Sequence, residues 1–174
     1  MLIIENYLRL LQIQGGVHQK KPVPEFFFSL DNDELVKANA GWFEGHLMYI
    51  QGAIIITING KKILDFKDWD YPYWLYGQFV GFLDDIKAGK GFEMPYLESD
   101  TLIKVESISK SIVLLKHIVQ GKTVNHVNYD KKELFISFLE AALKAFKVSD
   151  KYDGEDCGND ILDLEDCLKY WMSR

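Results

Sequence analysis

The chain is poor in the features that announce a reaction. It has only two cysteines, Cys157 and Cys167, and they do not form a Cys-x-x-Cys pair. Without a secretory leader, two such residues read as free thiols rather than as a disulfide. The opening residues, MLIIENYLRLLQI, are apolar but broken by Glu5, Asn6 and Arg9. They lack the basic start and small-residue cleavage site of a signal peptide. No run approaches the roughly 18 apolar residues that cross a membrane. The expected location is therefore the cytoplasm. Gly89-Lys90-Gly91 lacks the rest of a phosphate loop, and no Gly-x-Ser-x-Gly elbow is present. No cofactor is expected, and no Ser or Cys nucleophile can be given a base from spacing.

Basic residues are scarce as well, 20 against 26 acids, for a net charge of −6. The imbalance is local. Between positions 150 and 174 stand Asp150, Asp153, Glu155, Asp156, Asp160, Asp163, Glu165 and Asp166, against Lys151, Lys169 and Arg174. That segment supplies −5, so the remainder is nearly neutral and offers no basic stripe for nucleic acid.

What is present is apolar patterning. The length of 174 residues suits one domain. Asn59-Gly60 marks a two-residue hairpin turn, because both central positions need positive φ. The turn sets Ile58 opposite Lys61 and Ile56 opposite Ile63. One face then carries Ile54, Ile56, Ile58 and Ile63, and the other Ala53, Ile55, Leu64 and Phe66. Apolar residues on both faces predict a hairpin near the middle of a sheet. Asp70 and Pro72 open a helix whose stripe is Leu75, Phe79, Phe82, Leu83 and Ile86, with Gly89 as the stop.

Further strands are expected at 2–13, 25–30, 46–58, 101–106, 112–119 and 123–129, with residues 31–44 irregular. Asp130 and Glu133 form an Asp-x-x-Glu capping box for a helix carrying Leu134, Phe135, Phe138, Leu139, Ala142 and Phe146. A last helix spans about 160–172. There is no internal repeat. The expected architecture is α+β over 1–174: a mainly antiparallel sheet of about six or seven strands with two or three helices packed on it, and an acidic loop and helix at 150–174.

Several constellations need weighing. A turn at Gln120-Gly121 would set Val124 opposite His117 and His126 opposite Leu115, leaving the two histidines diagonal neighbours on one face. A zinc site there would lack further ligands. Asp65-Phe66-Lys67 has the form of a nuclease Asp-x-Lys element, but the only earlier candidates for its second acid, Asp33, Glu34 and Glu44, fall in the irregular segment, and no basic surface accompanies it. An EF-hand counted from Asp153 fails, since Cys157 takes the fifth position and Leu164 the twelfth. No metal is expected. Trp69, Tyr71, Tyr73, Trp74 and Tyr76 cannot all share one buried helical face, and Tyr and Trp dominate binding hot spots.

The order of I-N-G-K-K-I-L-D-F, W-L-Y-G-Q-F-V-G-F-L and L-F-I-S-F-L-E-A-A-L, within roughly residues 45–148, resembles small α+β proteins among bacterial polymorphic-toxin immunity candidates. The resemblance implies a protein that binds and blocks a toxin domain without chemistry. The expected function is thus a non-catalytic, cytoplasmic protein-binding protein, with a basic toxin domain as partner. Expected contacts are Asp153, Glu155, Asp156, Asp160, Asp163, Trp69, Tyr71 and Tyr73. The alternatives are a small-molecule-binding module, or an enzyme, with an aromatic-lined cleft between sheet and helix, and a structural subunit of a homo-oligomer.

Overall fold

The computed structural model describes residues 1–9, 24–40, 50–153 and 157–174. Among these residues, eight strands form two four-stranded antiparallel sheets rather than one sheet, and five α-helices accompany them. The α+β expectation holds at the level of class, while both counts are higher than expected.

The first sheet is built from β1 (Leu2–Arg9), β2 (Phe27–Ser29), β3 (Gly52–Ile58) and β4 (Lys61–Leu64), in the order β2-β1-β3-β4. The β3–β4 hairpin turns at Asn59 and Gly60, both at positive φ (50° and 77°), as the Asn-Gly pair dictates. Its register differs from expectation. Ile58 faces Lys61, but Ile56 faces Leu64 instead of Ile63, because the ladder slips between Ile56 and Thr57. Such a bulge leaves one residue unpaired and turns the following side chains over. Leu64 therefore joins Ile54, Ile56, Ile58 and Ile63 in the main core. Ala53, Ile55 and Phe66 form a second cluster with Phe27 on the opposite face. Both faces are covered, although β4 lies at the sheet edge.

The second sheet is a meander of β5 (Phe92–Pro95), β6 (Thr101–Ser107), β7 (Ile112–Val119) and β8 (Lys122–Asp130). The short β5 falls in a stretch that gave no strand signal. Pro95 is tolerated there because the strand is at an edge. The β7–β8 turn again uses positive φ, at Gln120 (51°) and Gly121 (73°). A second bulge, between His117 and Ile118, sets His117 opposite Asn125 and His126 opposite Lys116. Since paired residues point to one face, the two histidines are on opposite faces. His117 is buried and His126 exposed, so the expected histidine neighbours do not form.

α1 (Asp33–Asn39) occupies a stretch expected to be irregular. The Asn32 side chain accepts from the Leu35 amide at 3.1 Å, and Asp33 and Glu34 sit in the first turn, where the helix dipole favours acids. The expected single helix over 72–89 is two, α2 (Pro72–Val80) and α3 (Leu83–Lys87). At the join, Gly81 and Phe82 donate to carbonyls three residues back, tightening the last turn. α4 (Lys131–Asp153) begins where the Asp130 carboxylate accepts from the Glu133 amide at 2.9 Å. The reciprocal half of the capping box is replaced by a bond from the Tyr129 hydroxyl to Glu133. α5 (Gly158–Met172) packs on α4 through Leu164, Cys167 and Trp171. The main core unites α2 to α5 with the inner faces of both sheets. No helix among the described residues is long and apolar enough to cross a membrane.

Candidate functional site

Asp70 is the residue from which the site is best built. Its backbone exchanges hydrogen bonds with Gly52 at 2.7 and 3.0 Å, which fixes it against the start of β3. Only glycine fits at position 52, since a Cβ would stand 2.2 Å from the Tyr7 carbonyl oxygen. The Asp70 carboxylate accepts from the Tyr71 amide at 2.7 Å and from the Glu98 amide at 3.0 Å. One buried side chain thus ties the start of α2 to the β5–β6 connection. Burial raises its pKa, and the backbone N–H groups partly oppose that rise.

The connection so held forms a groove of about 540 Å³. Tyr96, Glu98, Asp100 and Thr101 line one side and Val119 and Gln120 the other. The Gln120 amide donates to the Asp100 carbonyl at 2.7 Å and the Tyr96 amide to the Thr101 carbonyl at 2.9 Å, so its walls are braced by the sheet. Glu98 and Asp100 give the lining two carboxylates and no cation. Tyr71 stands beside it, its hydroxyl donating to Glu98 Oε1 at 3.1 Å.

A sealed polar cluster adjoins the groove. His117 lies one pleat inward from Val119 on β7, 1% exposed, with Nε2 3.4 Å from Asp68 Oδ1. Burial lowers the imidazole pKa, against the opposing pull of Asp68 and of the Ile63 backbone. The Asp68 carboxylate also accepts from the Asp65 amide at 3.0 Å. The Tyr96 hydroxyl is buried without an acceptor, and burial beside Asp68 and Asp70 raises its pKa. This arrangement brings an acid and an imidazole together in a buried setting. Cys167 is packed against the Leu83 carbonyl, and burial pushes its thiol up to about 11. Cys157 contacts the Ser149 hydroxyl instead. Among the described residues neither cysteine forms a disulfide. Asp65 caps the single-turn helix Phe66–Asp68 and leans toward Lys62, which is a structural use for the residue of the nuclease-like element. Among the described residues no group of three or more His, Cys, Asp or Glu could hold a metal ion.

The expected contact residues are dispersed. Glu155, Asp156 and the side chain of Asp153 lie outside the described residues. Asp160 is half-buried, its pKa raised by burial and by Asp163, and Asp163 is exposed. Glu165 and Asp166 are taken up by Lys147 (2.8 Å) and Lys87 (2.6 Å). Trp69 packs on the second cluster with the Arg9 guanidinium 5.4 Å over its ring. Tyr73 is 3% exposed and belongs to the core, so it is not offered to a partner. Tyr71 and Asp163 mark opposite ends of α2, whose nine residues span about 13 Å. Glu98 and Asp100 were missed because a short Glu-Ser-Asp turn has no periodicity, and only the register of three strands brings it beside Tyr71.

Compared with protein-family models, curated proteins and solved structures, the chain matches none.

Proposed function

We propose that this protein is a non-catalytic binding protein for a basic protein partner, acting as an immunity protein would toward a toxin domain. The groove at the β5–β6 connection is the contact, with Glu98 and Asp100 meeting lysine or arginine side chains and Tyr71 packing at the rim. The observation that carries this reading is the pair of carboxylates in a braced, concave lining without a cation. Opposite potentials steer encounter and suppress wrong partners. Asp163 on α5 extends the acidic field toward the far end of α2. The sealed state of the Asp68–His117 pair fits the same reading, since a general base must reach a substrate proton.

What weighs against the competing reading of an aromatic-lined cleft is that Tyr73, Tyr76 and Phe79 of α2 are buried in the main core.

The test is affinity capture from the native host at low salt, repeated with the Glu98→Lys/Asp100→Lys double variant. A basic partner whose capture falls at least tenfold on charge reversal, and whose toxicity the unaltered protein suppresses on co-expression, is the expected result. A partner retained equally by both forms, or protection by the variant, would overturn the assignment.

A further inference from the structure

A second depression, of about 460 Å³, has the opposite electrostatic sign. Lys110 reaches it from the β6–β7 connection, Lys131 and Lys132 from the start of α4, and Arg174 from beyond α5. Asp130 is the one side-chain carboxylate among the described residues that line it, and it is engaged as the cap of α4. In a chain of net charge −6, this concentration of cations runs against the overall balance.

Lys131 is the buried cation of this wall. It is 5% exposed, and its ammonium donates to the Gly89 carbonyl at 2.9 Å, the Ser107 hydroxyl at 2.6 Å and the Ser109 carbonyl at 2.6 Å. All three acceptors are neutral. Among the described residues no carboxylate forms an ion pair with it. A buried charge is ordinarily paired with one of opposite sign. Burial lowers the pKa of the ammonium. Trp171, 7% exposed, also lines the depression, and its indole N–H has no acceptor.

The concave form and the volume suit a small molecule better than a flat macromolecular contact. A phosphate monoester brings about −1.5 to −2 charges and three acceptor oxygens, and the N-terminus of the 23-residue α4 favours such an anion. We propose that this depression is a binding site for a small phosphomonoester, with Lys110 and Lys132 holding the phosphoryl group and Lys131 supplying fixed positive charge behind it. Arg174, whose guanidinium stacks 4.2 Å over the Tyr170 ring, closes the outer side. The site is separate from the acidic groove and does not depend on the reading given to it.

Calorimetric titration of the full chain at low ionic strength with inorganic phosphate, glycerol 3-phosphate and AMP tests the proposal. One equivalent of an ester is expected to bind with Kd below about 1 mM. Binding should quench a fluorescence component that the Trp171→Phe variant lacks. Neither Lys110 nor Lys132 is buried, so Lys110→Ala/Lys132→Ala should fold, which circular dichroism checks, and bind at least tenfold more weakly. Lys61→Ala/Lys62→Ala, at the exposed tip of the β3–β4 hairpin, should bind like the unaltered chain. No binding of any probe up to about 10 mM, or equal affinity in the Lys110/Lys132 variant, overturns the site. Inorganic phosphate bound as tightly as both esters overturns the assignment to a monoester.

Discussion

The two sheets use the same local device to opposite ends. Each carries a hairpin closed by two positive-φ residues and followed by a bulge. In the first sheet the bulge turns Leu64 into the main core, and the outer face is covered by Phe27, Ala53, Ile55 and Phe66. In the second, the bulge sends His117 inward and His126 outward, and the outer face stays wet. Lys104 there bridges Glu93 at 2.7 Å and Glu106 at 3.3 Å. A sheet covered on both faces can only pack. A sheet with one wet face leaves its end connections open, and the candidate groove lies at one of them.

The largest expected effect lies where the first sheet meets the site. Gly52→Ala would drive its Cβ into the Tyr7 carbonyl oxygen and the Pro72 ring and displace Asp70. A loss of about 4 kcal/mol is expected from denaturant unfolding, at the severe end for single substitutions. Next, Ile55→Ala should cost about 2 to 5 kcal/mol because its face of the first sheet is covered. Leu114→Ala, on the wet face of the second sheet, should cost clearly less. Equal losses at the two positions would contradict the difference between the two sheets.

Much of this contrast is legible in the sequence. Ala53 to Ile56 is apolar at every position, which a one-sided strand cannot be, whereas Thr101, Ile103 and Val105 alternate with Lys104 and Glu106. The turns at Asn59-Gly60 and Gln120-Gly121 are legible too, through their residue types. The bulges are not. Each comes two or three residues beyond its turn and depends on which side chain the core accepts, so the partners of Ile56 and His117 shift by one. α1 carried capping signals but buries only Val36, so no helical stripe marked it. The groove was illegible for a further reason. Asp70, Glu98 and Gln120 meet only through tertiary register, and clustered acid at 150–166 drew attention to charges that Lys87 and Lys147 partly neutralise.

His117 gives the second sheet a pH dependence. The buried imidazole takes a proton less readily than its ordinary value of 6.5. The unfolded chain therefore binds more protons below that pH, and stability falls as pH falls through and below 6.5. His117→Gln should flatten this part of the stability profile measured by urea unfolding. An unchanged slope would show that the imidazole is not held neutral by burial. Smaller still, Gly60→Ala and Gly121→Ala should each cost about 1 kcal/mol in thermal unfolding. Both sites are open, so only the positive φ opposes a Cβ.

In the proposed contact, a partner reads the negative charge at Glu98 and Asp100. The most direct test is the partner's affinity for the Glu98→Gln/Asp100→Asn variant, measured across a salt series. We predict binding at least tenfold weaker at low salt, with a shallower salt dependence. Equal affinity and an equal salt slope for the two forms would contradict it.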